Sequence, residues 1–130
     1  MFDHFDWIAS IYERLIPPAE TAHYVEKLRL PIQGWLLDAG GGTGRVSSRL
    51  CDWTGPIALV DTSRRMLQEA MRKNTVSTIR ANAECLPFAD ECFERILVVD
   101  ALHHFRDPFQ ALAELARILK SGGRLLIQEP

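Results

Sequence analysis

Read from its amino end, the chain changes texture once. Apolar positions at Phe5, Ile8, Tyr12, Leu15 and Ile16 recur with a helical period that Pro17-Pro18 ends. A second helical stretch covers residues 19–30, just before Pro31. Beyond it, short apolar runs alternate with helical patterns, as βα units do. Five runs read as strands: residues 35–38, 57–61, 78–81, 95–100 and 124–127. The second and fourth are almost continuous in apolar residues, which predicts burial on both faces of a parallel sheet. Met66, Leu67, Ala70 and Met71 mark one face of a helix after the second strand. The last helix is the best signposted, with Asp107 as N-cap, Pro108 at the first helical position and Gln110 three residues past the cap. Its expected core face is Phe109, Leu112, Ala116 and Leu119, and Gly122-Gly123 is its expected stop. Residues 84–94 show no clear period. Pro87 and the acidic Asp90-Glu91 point there to a loop or short helix, with the acidic pair read as a solvated turn.

This alternation predicts an α/β fold with right-handed crossovers and helices on both faces of the sheet. The length of 130 residues suits one domain, able to bury roughly two thirds of the surface that its unfolded chain exposes. Composition narrows the function by exclusion. Fifteen Lys and Arg against seventeen Asp and Glu leave a net charge of −2, with both signs scattered. No basic stripe suggests nucleic acid, and no polybasic patch suggests a membrane surface. Cys51, Cys85 and Cys92 have no zinc-site spacing and read as reduced structural thiols, so no metal is expected. The acidic start lacks a signal-peptide pattern and no apolar run reaches spanning length, from which a cytoplasmic location is expected.

Candidate chemistry centres on Asp38-Ala39-Gly40-Gly41-Gly42-Thr43-Gly44, placed directly after the first strand and before a helical stretch. Glycines there allow close backbone approach to a ligand, and the following helix would present unpaired N–H groups. Open α/β sheets bind ligands in the crevice at the C-terminal ends of their strands. The dinucleotide fingerprint G-x-G-x-x-G/A fails in both registers, because its last position falls on Arg45 or Ser47. That disfavours an NAD-dependent oxidoreductase. The pattern present, D-x-G-x-G-x-G, suits a ligand without pyrophosphate but with a cationic, amino-acid-like end near Asp38. Asp61 closes the second strand about 20 residues beyond the glycines, where a carboxylate can accept from both hydroxyls of a ribose. The plain alternative is that Asp61 caps the helix starting near Thr62-Ser63.

These motifs, with Asp61-Thr62-Ser63 to Met66-Leu67, Asn82-Ala83-Glu84-Cys85-Leu86-Pro87-Phe88, Ala101-Leu102-His103-His104-Phe105, Arg117-Ile118-Leu119-Lys120-Ser121-Gly122-Gly123 and Ile127-Gln128-Glu129-Pro130, resemble the class I S-adenosylmethionine (SAM)-dependent methyltransferases. The most similar subgroup is that of the ubiquinone/menaquinone-biosynthesis C-methyltransferases and related small-molecule methyltransferases. The likeness covers almost the whole chain in the right order, Phe5 to Tyr12 included.

The resemblance implies a Rossmann-like doubly wound sheet of order 3-2-1-4-5. It also implies SAM as cofactor, S-adenosylhomocysteine as product and a small-molecule methyl acceptor. Gly40 and Gly42 would carry the methionine end, Asp61 the ribose, and Asn82 and Ala83 the adenine edge, with Asp38 and Gly44 also among the cofactor-binding residues. Asp100 and Ala101 would line the sulfonium side, with Leu102 and His103 on the acceptor rim. Met66 and Leu86 would pack on adenine or serve the core. His103 and Tyr12 are the catalytic candidates for acceptors that must lose a proton, with His104 behind them. Residues 1–30 would form a helical lid and residues 31–130 the α/β core.

Two departures from the family stand out. Asn82 replaces a common Asp, leaving an uncharged acceptor for the adenine amino group. Ser121 replaces a frequent Pro, at some cost in loop rigidity. The family's last two strands have no counterpart before Pro130, which leaves the fifth strand as an expected edge, open to a second copy. A shortened chain, a natural short form and a sheet completed by another copy are the three explanations. A non-catalytic SAM-fold binding module is the alternative to an enzyme.

Overall fold

A computed structural model describes residues 19–130. Helix α1 (Ala19–Lys27) precedes strand β1 (Leu36–Ala39), a 3₁₀ segment (Ser47–Trp53) and β2 (Ile57–Asp61). Then follow α2 (Arg64–Met71), β3 (Ser77–Arg80), β4 (Phe93–Val99), a short 3₁₀ turn (Leu102–His104), α3 (Pro108–Ile118) and β5 (Leu119–Gln128). The five strands form one parallel sheet in the order β3-β2-β1-β4-β5. This is the order the family resemblance implies, with the reversal between β1 and β4.

Strand alternation sorts the core into two layers. Leu37, Ala58, Val60, Ile96 and Val98 face one way, packed with Leu115 and Ile118 of α3 and with Leu86 from the loop before β4. Leu36, Ile57 and Leu97 face the other way, against Tyr24 and Leu28 at α1 and Leu50 of the 3₁₀ segment. Leu59 on that second face meets Leu67 and Ala70 of α2. Both faces of the sheet are therefore covered, as the unbroken apolar runs require.

Of the expected lid, residues 19–30 are built into this core: Tyr24 and Leu28 are fully buried and no residue of α1 borders the cleft described below. Two cations finish the helix. Arg95 Nε donates to the Leu28 carbonyl and Arg124 Nε to that of Lys27, which satisfies carbonyls that the helix end leaves free. Residues 1–18, with Tyr12, lie outside the described residues.

Three local expectations are corrected. The helix expected after the glycine loop is a seven-residue 3₁₀ segment with no side-chain cap. Helix α3 has the expected Asp107 cap, accepting from the Gln110 N–H at 3.1 Å, but buries Ala111, Leu115 and Ile118. Phe109 is 85% exposed and Ala116 is also exposed, because the helix is turned by about one position from the expected stripe. The chain then passes straight from Ile118 into β5, so Leu119 is a strand residue paired with Phe93 and the stop at Gly122-Gly123 is not used. The acidic pair is the exposed turn that was expected, and it carries two contacts. Asp90 accepts from Arg117 at 2.9 Å, and Glu91 accepts from the Ser121 N–H at 3.3 Å, a donor that a proline at 121 would lack.

Candidate functional site

The C-terminal ends of β1, β2 and β4 open onto a cleft of about 730 Å³. Its walls include Gly40, Gly42, Asp61, Met66, Asn82, Ala83, Asp100 and Ala101, eight of the ten residues expected to hold a cofactor. The other two, Asp38 and Gly44, are not on its wall.

The glycine loop folds back on β2: the N–H groups of Gly40 and Gly41 both donate to the Val60 carbonyl, at 2.9 and 3.2 Å. Gly40 has φ +69, and a Cβ there would lie 2.7 Å from that of Ala101. Glycine is thus required for the loop to close on the end of β4. Gly42, at φ +59, is different, since a Cβ there would meet nothing within 4 Å. Its backbone borders open cleft. Gly44 is buried against Leu59 and Ala70 and serves packing.

Asp61 is held at the cleft edge by two backbone donors. Oδ2 accepts from the Gly42 N–H at 2.9 Å and Oδ1 from the Ser63 N–H at 2.8 Å. Each carboxylate oxygen keeps acceptor capacity beyond these bonds. The helix-capping role belongs to Ser63, whose hydroxyl accepts from the Met66 N–H at 3.2 Å. The carboxylate is therefore oriented by the loop and by the start of α2 together.

Asp38 points into the sheet's second layer, on the Leu36 side, beneath Gly41. Burial pushes its carboxyl up to about 6, the Ser47 hydroxyl pulls it down, and the charge of Asp61 adds to the rise. The Ser47 Oγ is buried without a hydrogen bond of normal geometry, so its pull is weak and burial decides.

Asp100 follows β4 in the left-handed region at φ +53, and its N–H donates to the Gln128 carbonyl at 2.8 Å. The next turn carries both histidines, and the structure separates them. His104, with Phe105 and Arg106, borders the cleft; His103 does not. Instead His103 Nδ1 pairs with Glu129 Oε2 at 2.5 Å, while Glu129 Oε1 accepts from the Leu102 N–H at 2.8 Å. Burial raises the Glu129 carboxyl, but these two donors outweigh it and hold it below the usual range. The two imidazole rings lie 4.0 Å apart, so the anchored His103 backs the ring that borders the cleft.

Glu129 is the residue that sequence reasoning missed, and His104, ranked there behind His103, is the histidine that borders the cleft. Only the adjacency of the two histidines hinted at a division between them. Leu86 is core, while Cys85 borders the cleft beside Asn82, to which its backbone N–H donates at 3.1 Å. Among the described residues no group of three His, Cys, Asp or Glu side chains is placed to hold a metal, and no helix is long and apolar enough to cross a membrane.

The methyltransferase domain family matches residues 37–127. The ubiquinone/menaquinone biosynthesis C-methyltransferase UbiE of Francisella philomiragia is 38% identical over 104 residues, covering 72% of this chain and 42% of that protein. The chain thus spans about two fifths of the length of the curated relatives it matches. The crystal structure of the YcgJ protein from Bacillus subtilis superposes with a TM-score of 0.77 at 29% identity, over 83% of this chain and 49% of that one. A SAM-dependent methyltransferase from Thermotoga maritima gives 0.65 at 34% identity, over 96% and 59%. With the glycine loop, the anchored Asp61 and the 3-2-1-4-5 sheet, these likenesses place the chain in the class I SAM-dependent methyltransferase family.

Proposed function

We propose that this chain binds SAM in the cleft and transfers its methyl group to a small-molecule acceptor. The observation that carries the reading is the Asp61 carboxylate, fixed by the Gly42 and Ser63 N–H groups at the edge of a cleft that Gly42 leaves open. A carboxylate pre-oriented in this way accepts from two neighbouring hydroxyls with little reorganisation, the recognition that a ribose needs. Asn82 and Ala83 take the adenine edge, Met66 one apolar side, and Gly40, Gly42, Asp100 and Ala101 the methionine and sulfonium end. Asp38 acts from beneath the loop, through the position of Gly41, rather than by direct contact.

SAM supplies a methyl group already activated by its sulfonium. The protein's share is to hold the acceptor in line and to exclude water. His104 is the side chain placed to receive a proton from an acceptor that must lose one, with His103 and Glu129 setting its turn. The small-molecule class rests on the likeness to UbiE, and the homodimer on the outer edge of β5, which pairs with no other strand among the described residues.

Titration calorimetry with SAM, S-adenosylhomocysteine and NAD tests the cofactor, and a radiolabelled-methyl screen of small acceptors tests turnover. Micromolar binding of both adenosyl ligands without NAD binding is expected. NAD binding alone would refute the reading. SAM binding with no methylated acceptor would favour the non-catalytic binding module.

A further inference from the structure

The wall of the cleft formed by residues 82–85 belongs to a loop with almost no regular structure of its own, only an isolated bridge between Asn82 and Cys85. Something outside the cleft must hold it, since an unanchored loop would have to be ordered at each binding event. The hydrogen bonds lead to α3, a helix that borders the cleft at no point.

Arg117 is the centre of this anchorage. Its guanidinium donates to the carbonyls of Leu86 at 3.2 Å and Phe88 at 2.8 Å, and to Asp90 Oδ1 at 2.9 Å. Nε and Nη2 also grip Glu114, at 2.6 and 3.2 Å, in a two-pronged pair. Glu114 in turn accepts from the Leu86 N–H at 2.8 Å. Both backbone groups of Leu86, the residue next to the wall, thus end on one ion pair. The Glu114 side chain is only 14% exposed, and the Arg117 hydrogen bond, followed by the Leu86 N–H, keeps its carboxyl below the usual range. At the other end of the helix, Glu84 Oε1 accepts from the Asp107 N–H at 3.1 Å.

We infer that Arg117, with Glu114, is a positioning residue for the adenine wall. It fixes residues 82–85 from behind without touching the ligand. The inference rests on the proposed SAM reading of the cleft. Arginine is needed because five contacts from one planar group fix two carbonyls and two carboxylates at once; a lysine ammonium has three donors on a flexible stem.

The test compares two ligands on the full chain: S-adenosylhomocysteine, and S-ribosylhomocysteine, which lacks the adenine. Arg117→Lys should weaken S-adenosylhomocysteine by about tenfold, equivalent to roughly 1.4 kcal/mol, and leave S-ribosylhomocysteine within about twofold. In the free protein, amide exchange should quicken in residues 84–91 and stay unchanged in β1 and β2. Equal losses for both ligands would mean a global fold defect and overturn the inference, as would unchanged affinity for the adenosyl ligand. Should Arg117→Lys not fold, Glu114→Gln carries the same comparison, with an expected loss of about threefold. A wild-type chain that binds neither ligand overturns the SAM reading and this inference together. Wild-type binding with ligand-blind losses overturns this one alone.

Discussion

Asp38 stands in the sequence motif but faces the core, and this placement makes a prediction whose sign is unusual for a carboxylate. Buried carboxylates with good partners have lowered pKa values and stabilise a fold above pH 4 or so. Asp38 is buried beneath the glycine loop without such a partner, and its carboxyl is raised to about 6 from an ordinary value of 3.8. The native chain therefore holds a proton on Asp38, between those two values, that the unfolded chain has released. Stability attributable to this group is greatest below the lower value and falls as pH rises through the window. A shift of about two pKa units, at about 1.36 kcal/mol each, makes the loss about 3 kcal/mol at neutral pH.

Asp38→Asn removes the charge and keeps the shape. Urea denaturation of both proteins, followed by circular dichroism from about pH 4.5 to about pH 7.5, isolates the effect, because every other titrating group is common to the two. The variant's advantage should widen by about 2 kcal/mol across that range, the part of the shift that the window contains. Near neutral pH this corresponds to a Tm gain of roughly 5–10 °C. A pH profile of the difference that stays flat would show that Asp38 is ionised and well partnered, and the account of the buried carboxyl would fall.

The remaining expectations probe the cleft and the helix face. Asp61→Ala removes a charged acceptor and should weaken SAM by about 1.5–3 kcal/mol in calorimetry; unchanged affinity would remove the ribose assignment. Gly40→Ala brings a Cβ to 2.7 Å from that of Ala101 at φ +69, so denaturation should show a loss of about 2 kcal/mol or more. Gly42→Ala meets no atom and should cost stability only about 1 kcal/mol of backbone strain while lowering SAM affinity. Phe109→Ser should change stability by less than about 0.5 kcal/mol, whereas Leu115→Ala should cost about 2–5 kcal/mol; the reverse order would restore the face read from the sequence.

The parallel sheet was legible because its two central strands are apolar without interruption, and only burial on both faces requires that. The limits were legible only where a local signal fixed them. Asp107 and Pro108 mark the start of α3 through a cap that needs no tertiary context. Its end and its rotation carry no such signal. Two overlapping stripes exist on this helix, one through Phe109 and Ala116 and one through Ala111, Leu115 and Ile118. The position of the helix over Ile96 and Val98 decides between them. Nor did the double glycine end it, since β5 begins at Leu119 to pair with Phe93, through an irregular register between Phe93 and Arg95.

The cleft shows the same division at finer scale. Residues at strand ends are placed by the fold alone, which is why Asp61, Asn82, Ala83, Asp100 and Ala101 meet at one crevice as the motif order suggests. A strand's alternation then overrules motif membership: Asp38 shares a face with Leu36 and is carried inward, whatever chemistry its carboxylate might serve. Side chains that act on the site through other groups have no short-range mark at all. Glu129 reaches back 26 positions to His103, and Arg117 reaches back 31 to Leu86. Both contacts arise because β4 and β5 are neighbours and α3 lies across the loop before β4, and neither fact is local. A ligand-contacting motif therefore shows where a cofactor can sit, while the groups that set the rigidity of its walls come from the sheet order. Variants at Arg117 and Glu129 should for that reason alter affinity and turnover more than their distance from the glycine loop in sequence would suggest.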